Sequence, residues 1–530
     1  MKKVRKIILT LLITILAFAS TSFASSNDKK VLRVGMEVNY APYNFSEVDD
    51  SNGGVPVKNS SGEYANGYDI AIAKEVAQSL DMDLEVYKID WDGLIPALTS
   101  VKIDVIIAGM SPTTERREQI DFTDSYYDAV VGVILKENSK YKDAKSIKDF
   151  ADAKLTGQLG TYHYDLLDQM QDIKKEQALD SFPTMIAATK AGTIDGYVSD
   201  KPGAESAMTA NKDLIFVQFD EDNGFTVDSS LTSISIGVKK NSDLTPKLNQ
   251  ALENVSSEQR EELMKEMVLL TTANETSGEN PTFFGEMSQI WQKYSSLFLR
   301  GIVNTLFIAI LSTILGFLIG LLVAVIRKIE INKSKNKFSY ILHKIINFIL
   351  SAYVEIFRGT PMMVQSVIIF YGLKQYFDID LSTMFAAILI VSINTGAYMS
   401  EVVRGGINSI DNGQFEACKA LGMTHFQTMT NVVLPQAVKN ILPSLGNEFV
   451  INIKDTSVLN VISVTELFFM SKSVAGSTYQ YFPTYLITAI IYFVLTFVIT
   501  RIINHLERKM NGREYIHEAT TGVKNANIKG

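Results

Sequence analysis

The chain has 530 residues and a formal net charge of -8, from 58 acidic residues against 50 lysines and arginines. This length exceeds what one hydrophobic core usually supports, so two or more domains are expected. The acidic balance, without a basic face interleaved with aromatic residues, argues against nucleic acid as a partner. A single cysteine, Cys418, excludes a disulfide framework and a cysteine-based metal site.

The first 24 residues have the order of a secretory signal peptide. Lys2, Lys3 and Arg5 precede an apolar run from Ile7 to Phe18, and small residues continue up to Ala24. This order predicts cleavage after Ala24, with an uncleaved anchor as the alternative, and in both cases the next domain is exported. No cysteine directly succeeds the signal to accept a lipid, so any tether is a later membrane segment.

Residues 30–270 alternate between strand and helix patterns. The predicted elements are a strand at Val31–Gly35, a helix at Asp69–Leu80, a strand at Asp83–Tyr87, a helix at Trp91–Ser100 and a buried strand at Ile103–Ala108. Such alternation favours parallel sheets, with a ligand cleft between two α/β lobes. The polar segment Ser46–Ala65 is predicted to be a surface loop.

After a linker at residues 271–295, apolar residues form stretches that can cross a bilayer, which needs about 20 residues per helix. Five spans are predicted, at Ser296–Ile326, around Ile345–Phe377, and at Thr383–Val403, Val438–Ile453 and Thr484–Ile499. Lysines and arginines cluster after the first and last spans, whereas loops expected outside hold mainly Lys374 and Lys472. The first span therefore runs from outside to inside. These patterns predict an all-α membrane domain at 296–513 and a cytoplasmic tail at 514–530.

Ordered motifs in the first domain resemble the polar amino-acid binding proteins of ABC importers. The motifs are Gly67-Tyr68-Asp69-Ile70, Trp91 to Leu98, Lys102 to Ser111, Thr114-Glu115-Arg116, Asp121 to Tyr127 and Asp195 to Asp200. The likeness covers nearly the whole of residues 30–270. It implies a two-lobed α/β fold of the type II periplasmic-binding-protein kind that holds an L-amino acid.

The resemblance implies that Arg116 clamps the α-carboxylate of the ligand, because a guanidinium offers a rigid fork of donors. It implies that Asp200 takes the α-ammonium, helped by Ser111, the carbonyl of Ala108 and the adjacent Gly109. Without the resemblance, Arg116 and Asp200 would be interpreted as surface charges.

The turn Gly160-Thr161-Tyr162-His163 opens a predicted helix, whose free amide groups favour an anion. In the family this turn adds donors to the same carboxylate. A plain helix cap is the alternative for Thr161. Tyr162 departs from the small or hydroxylic residue that many relatives have, which puts its side-chain contact in doubt.

Selectivity is expected on the side of the cleft formed by the first lobe. Tyr40 and Trp91 match aromatic positions around the ligand side chain, with burial in the core as the alternative for Trp91. Glu37 matches an acid or amide that meets the far end of the substrate, and Gln158 resembles a selector across the cleft. A carboxylate beside two aromatic rings favours lysine, arginine or histidine, with glutamine close behind.

Residues 300–509 resemble the permeases of the same importers. The motifs are Arg358-Gly359-Thr360-Pro361, Glu416 to Gly422, Val433 to Ala437 and Lys454-Asp455-Thr456-Ser457. The resemblance implies that Glu416, Ala417 and Gly422 belong to a loop coupled to an ATPase, and an ordinary helix with a glycine stop is the alternative. Charges within spans are costly, so Glu401, Arg404 and Glu448 are candidates for a second substrate site, although helix-end positions explain the first two equally well.

The sequence contains no Gly-x-x-x-x-Gly-Lys-Ser/Thr loop, so ATP hydrolysis is assigned to a separate subunit and no cofactor to this chain. Two copies of the chain with two ATPases are expected from symmetry. The predicted function is the binding and permease subunit of an ATP-driven importer of polar L-amino acids in the cell membrane, not an enzyme. A glutamate-receptor-type channel and a membrane-anchored sensor are the alternatives.

Overall fold

The structure is a computed structural model that describes residues 30–220, 222–227, 232–273, 282–329 and 337–526. The predicted signal peptide lies outside the described residues, as do 274–281 of the predicted linker and 527–530 of the predicted tail. We call residues 30–273 the α/β domain and residues 282–526 the helical domain.

Two five-stranded sheets, one in each lobe, form the core of the α/β domain. The strands are, in chain order, β1 (Val31–Met36), β2 (Phe45–Glu47), β3 (Val55–Pro56), β4 (Tyr64–Asn66), β5 (Asp83–Lys88), β6 (Val105–Ile106), β7 (Ile120–Asp128), β8 (Val131–Lys136), β9 (Lys154–Thr156), β10 (Lys174–Lys175), β11 (Gly196–Asp200), β12 (Leu214–Gln218) and β13 (Ser233–Lys239). The first lobe has the strand order β5-β1-β6-β13-β7 and the second β10-β9-β11-β8-β12. The chain crosses to the second lobe after β7 and returns before β13, so two crossings join the lobes.

Both sheets are mixed, which corrects the prediction of parallel sheets. β1 runs parallel to β5 and β6, but β13 runs antiparallel to β6 and β7. In the second lobe β8 runs antiparallel to β11 and β12. The reversed strands are β8 and β13, each of which is the first strand after a crossing. They run in the opposite direction because the chain arriving from the other lobe enters the sheet from the opposite end.

Helices cover both sheets of the α/β domain. They are α1 (Tyr68–Ser79), α2 (Trp91–Thr99), α3 (Thr114–Gln119), α4 (Tyr162–Asp165), α5 (Phe182–Ala191), α6 (Lys201–Ala210), α7 (Thr245–Glu253) and α8 (Ser257–Ala273). The two helices and first two strands predicted from sequence are confirmed to within one residue at each end. The buried strand predicted at Ile103–Ala108 is shorter, because its ladder ends before the turn at Gly109.

The prediction of a surface loop at Ser46–Ala65 is wrong. β2, β4 and β3 form a small antiparallel sheet there. Ser46 and Ser60 are buried, because this sheet packs against the helical domain rather than facing solvent.

The helical domain contains α9 (Phe283–Arg327), α10 (Lys337–Gly359), α11 (Met362–Val367), α12 (Leu373–Phe377), α13 (Thr383–Asn408), α14 (Asn412–Ala420), α15 (His425–Thr428), α16 (Leu434–Asp455), α17 (Leu467–Thr478) and α18 (Tyr481–Ala526). Within the described residues, four helices are long and apolar enough to cross a membrane: α9, α10, α13 and α18 up to Lys509. A fifth span results if the helices at 425–462 and α17, bent by 57° at a short break, count as one.

Several predicted boundaries in this domain differ from the structure, and α18, which extends to Ala526, includes most of the predicted tail. α9 begins at Phe283, so the second half of the predicted linker is helical and continuous with the first span. The second predicted span breaks between α10 and α11, because Pro361 has no N–H to continue the helix. The amide of Gln365 donates to the carbonyls of Phe357 (3.1 Å) and Thr360 (2.9 Å) at the break.

The α/β domain sits on one end of the helical domain. Ser477 Oγ donates to the carbonyl of Ser46 (2.9 Å) and Arg300 to that of Ser61 (2.8 Å). At the other end of α9, Arg327 forms an ion pair with Glu401 on α13 (2.9 Å). Arg300 and Arg327 are roughly 40 Å apart at 1.5 Å per helical residue. α14, which comes after α13, therefore lies at the end away from the α/β domain.

Glycines bring α9 and α13 into close contact. A Cβ at Gly320 would lie 2.6 Å from Cβ of Met399 and 2.7 Å from the backbone nitrogen of Ser400. Small residues allow this approach of helix backbones within a membrane.

We expect Gly320→Ala to lower the thermal unfolding midpoint of the detergent-purified chain, because overpacking costs about 1–3 kcal/mol. Gly405→Ala is the matched control, since a Cβ at Gly405 on α13 meets nothing within 4 Å. Equal midpoints for the two variants in scanning fluorimetry would contradict the close packing.

Candidate functional site

The buried carboxylate of Asp69 supports the floor of the cleft. It accepts hydrogen bonds from the Asn44 amide (2.8 Å) and the Tyr126 hydroxyl (2.7 Å). The Tyr126 hydroxyl in turn accepts the N–H of Gly109 (3.2 Å), whose φ is +62°. Burial raises the pKa of Asp69 to about 6, although these hydrogen bonds oppose that shift. The network fixes the turn after β6 that leads to Arg116.

The guanidinium of Arg116 bridges the two lobes. It donates to the carbonyl of Ser111 in the first lobe (2.7 Å) and to that of Gly160 in the second (2.8 Å). Its central carbon lies 4.9 Å from the ring centre of Trp91. Burial lowers the pKa of Arg116 to about 10, so it stays charged at neutral pH. Among the described residues no carboxylate forms an ion pair with it, so this buried cation is available to an anion.

Asp200 lies at the end of β11 and caps α6 by accepting the N–H of Gly203 (2.9 Å). Its carboxylate also accepts a hydrogen bond from the hydroxyl of Tyr40, and the hydroxyl of Tyr43 lies 3.5 Å away. Burial raises the pKa of Asp200. This arrangement supplies hydrogen-bond donors to a buried carboxylate but no positive charge.

His163 is a candidate site residue that the sequence interpretation missed. Its Nε2 atom is 3.9 Å from the Asp200 carboxylate, and neither ring nitrogen has a hydrogen-bond partner among the described residues. Burial lowers the pKa of His163 to about 3, so the ring is neutral. The motif Gly160 to His163 contained this residue, but only the fold reveals its proximity to Asp200.

The two lobes are closed on each other. Besides the Tyr40–Asp200 and Arg116–Gly160 hydrogen bonds, the ring of Tyr40 stacks on Phe182 of α5 with ring centres 4.5 Å apart. A ligand between the lobes must replace these contacts.

The turn before α4 differs in detail from its prediction. The Thr161 hydroxyl donates to the carbonyl of Gln158 (2.8 Å) and makes no capping bond to the helix. α4 has only four residues, so its dipole is small. The Gln158 amide, which is buried, donates to the carbonyl of Asp180 (3.3 Å).

Acidic residues gather at one end of the cleft. Glu37 comes directly after β1 and is buried. Burial is the largest of the effects that raise the pKa of Glu37 to about 8. The negative charges of Asp90, Asp92 and Asp180 also raise it, whereas the positive charge of Lys472 in the helical domain lowers it. Lys472 Nζ lies 2.9 Å from Asp90 Oδ1. The sequence signal for Lys472 was only that of a charge in an outer loop.

A cavity of about 1180 Å³ opens between the lobes and the helical domain. Its wall in the α/β domain includes Trp91, Arg116, Gly160, Thr161 and Tyr162. Its wall in the helical domain includes Ile368, Tyr371, Gly372, Tyr376 and Phe377. Four predicted site residues, Trp91, Arg116, Thr161 and Tyr162, therefore meet at one space. The other predicted contacts do not line it: Glu37, Tyr40, Ala108, Gly109, Ser111, Gln158 and Asp200.

The predicted residues of the helical domain lie in three places. Glu401 forms ion pairs with Arg327 (2.9 Å) and Arg404 (2.7 Å), so these charges satisfy one another near the end of α13. Glu416 and Ala417 are exposed on α14, and Gly422, with φ of +72°, comes just after it. Glu448 is partly buried on α16.

Two protein families match this chain. Residues 32–267 match the bacterial extracellular solute-binding proteins, family 3. Residues 339–512 match the binding-protein-dependent transport system inner membrane component.

Individual relatives match one part of the chain or the other. A putative glutamine transport system permease protein GlnP of Rickettsia typhi is 38% identical over 212 residues, which are 40% of this chain and 92% of that protein. The arginine transport system permease protein ArtQ of Bacillus subtilis is 33% identical over 221 residues, 41% of this chain and 93% of that protein. The solved structure of the substrate-binding protein AbpA from Streptococcus pneumoniae, bound to L-arginine, is 24% identical, covers 46% of this chain and 96% of that one, and has a TM-score of 0.40.

We expect Arg116→Ala to weaken amino-acid binding strongly, because it removes the buried cation that faces the cavity. Truncating one partner of a buried charged hydrogen bond costs about 2–5 kcal/mol, at least roughly thirtyfold in Kd. Calorimetry of the purified full-length chain with L-arginine and L-glutamine measures the change.

Arg117→Ala is the control for this experiment, since Arg117 is the exposed neighbour of Arg116. The two variants should differ in Kd while both retain cooperative thermal unfolding. Equal ligand affinities in folded samples of both would exclude Arg116 from the ligand site.

Proposed function

This chain belongs to the ABC amino-acid importers, as a fused binding and permease subunit, and we propose that it carries polar L-amino acids with basic side chains favoured over glutamine. The observation that supports the preference is the acidic end of the cleft. Glu37, Asp90 and Asp92 stand there on the first lobe, and Asp180 lies close enough to act on Glu37 from the second. An excess of negative charge attracts a cationic side chain.

The backbone of the ligand is held by two complementary charges. Arg116 is a buried cation without a carboxylate partner among the described residues, and it binds the α-carboxylate. Asp200 is a buried carboxylate that binds the α-ammonium, with the neutral His163 beside it. Burial makes each interaction stronger than it would be in water, because the interior screens charge less. A zwitterion therefore satisfies both groups at once.

Ligand binding and lobe closure are linked. The Tyr40–Asp200 hydrogen bond and the Tyr40–Phe182 stack already hold the lobes together. An amino acid that contacts both Arg116 and Asp200 replaces part of these contacts and favours the closed state. The two crossings between the lobes act as the hinge.

We assign ATPase coupling to α14 and the turn after it. Glu416 and Ala417 are exposed, Gly422 allows the chain to turn, and Leu421 is 79% exposed. α14 lies at the end of the helical domain away from the α/β domain, so a partner there acts from the cytoplasmic side of the membrane. ATP hydrolysis belongs to that separate subunit, and two copies of this chain complete the transporter.

The channel alternative has less support. A glutamate-receptor-type channel inserts its pore helices between the lobes, but here β13 and α8 complete the α/β domain before α9 begins. Glutamine remains the second candidate substrate, because a Glu37 carboxyl with a pKa of about 8 is mostly neutral at pH 7 and can donate to a side-chain amide.

The pH dependence of binding separates the two substrates. A cationic side chain requires ionised Glu37, so binding releases a proton below pH 8. Affinity for L-arginine should then rise with pH between 6 and 8, by about tenfold per unit well below the pKa. Affinity for L-glutamine should stay constant or fall, because the neutral carboxyl already donates. Equilibrium binding of radiolabelled ligands to the full-length chain measures both.

In Glu37→Gln, arginine binding should weaken and lose its pH dependence. Glu118→Gln is the matched control, because Glu118 is an exposed glutamate of the same domain. A flat arginine profile in the unsubstituted chain, or one unaffected by Glu37→Gln, would overturn the preference for basic amino acids without affecting the family assignment.

A further inference from the structure

Lys472 is a lysine of the helical domain that reaches the ligand-binding domain. It lies on α17 and forms an ion pair with Asp90 (2.9 Å), with the two side chains only 18% and 19% exposed. Hydrogen bonds at the C-terminal end of α17 hold this helix against the α/β domain: Ser477 binds the backbone of Ser46, and Tyr479, just after α17, donates to the carbonyl of Ala41 (2.7 Å). The position of Lys472 is therefore set by docking of the two domains.

The ammonium of Lys472 meets the acidic end of the cleft. Asp90 precedes Trp91, whose ring faces the cavity, and Glu37 lies close enough for Lys472 to lower its pKa. The charge of Asp180, in the second lobe, also acts on Lys472. A cation from the helical domain thus occupies the electrostatic position that a basic substrate side chain needs.

We propose that Lys472 is a substrate-release residue, whose ammonium takes the place of the cationic end of the bound amino acid when the α/β domain docks. This inference rests on the proposed preference for basic amino acids. It assigns a role in transport to a side chain of the helical domain. Arg116 and Asp200, which bind the α-carboxylate and α-ammonium of the ligand in the proposed function, are separate residues of the α/β domain.

The cationic side chain of the substrate and Lys472 compete because both carry positive charge and because the binding of one is thermodynamically linked to the binding of the other. Two cations beside the same carboxylates repel each other, and the low exposure of Asp90 and Lys472 limits screening by solvent. The substrate cation and docked Lys472 therefore weaken each other by the same factor. A neutral side chain of the same shape is not repelled, so the effect depends on ligand charge.

The test measures binding of radiolabelled L-arginine and its neutral isostere L-citrulline to the full-length chain in lipid nanodiscs. Lys472→Gln should tighten arginine binding about tenfold, within the usual range of coupling between sites, and leave citrulline binding unchanged. Lys472→Arg should restore the weaker arginine binding.

Lys374→Gln is the matched control. Lys374 is another lysine of the helical domain and pairs with Asp378 of the same domain (2.8 Å), so the variant removes the same charge but leaves the Lys472–Asp90 ion pair in place. The variant should leave the arginine-to-citrulline affinity ratio as in the unsubstituted chain. A change in that ratio as large as in Lys472→Gln would show that the effect is not specific to Lys472 and overturn the proposal.

The remaining outcomes separate the two proposals. If the unsubstituted chain binds arginine through Glu37 but Lys472→Gln leaves its affinity unchanged, the release role alone is overturned. If the chain binds only neutral amino acids, both the proposed preference for basic substrates and the proposed release role of Lys472 are overturned.

Discussion

A buried ion pair of the α/β domain lies at the contact between the two domains. Lys88 Nζ lies 2.6 Å from Glu63 Oε1, and their side chains are 3% and 0% exposed. The Lys88 ammonium also donates to the hydroxyl of Ser473 on α17 and lies 4.9 Å from the ring centre of Phe469. Such a pair adds little net stability, because desolvation offsets the Coulomb attraction. Its effect is positional: Glu63 accepts hydrogen bonds from Lys88, Ser46 and Ser60 within the α/β domain, which fixes the Lys88 ammonium where it also reaches Ser473 of the helical domain.

This docking separates two groups of charges at the cleft. In the proposed function, Arg116, which lines the cavity between the two domains, and Asp200, which accepts a hydrogen bond from Tyr40, are the buried charges that the ligand backbone neutralises. Toward the helical domain, Glu37 and Asp90 already face a cation, Lys472. The proposed holding of the α-amino acid group and the proposed release of the side chain therefore belong to separate residues, so the strength of one can change without the other.

The sequence predicted the local elements of the first lobe well. β1, β5, α1 and α2 agree with hydrophobic periodicity, and of the two adjacent arginines Arg116 is buried whereas Arg117 is exposed. It could not predict the burial of Glu63, because a polar segment looks solvent-exposed until its partner surface is known. That surface is some four hundred residues away in the chain, so no local pattern records the contact.

The packing of the helical domain connects α17, which contacts the α/β domain, with α14, to which we assign ATPase coupling. In the middle of α9, Asn304 donates to the carbonyl of Thr465 (2.7 Å) and the hydroxyl of Thr305 accepts the N–H of Leu467 (3.1 Å), which fixes α17 to α9. Farther along, Gly320 brings α9 against α13, the helix that leads to α14. Backbones in direct contact cannot absorb movement through side-chain rotation, so such elements shift together. In the proposed function, a displacement of α14 by an ATPase therefore moves α17 as well, and α17 carries Lys472, the proposed release residue.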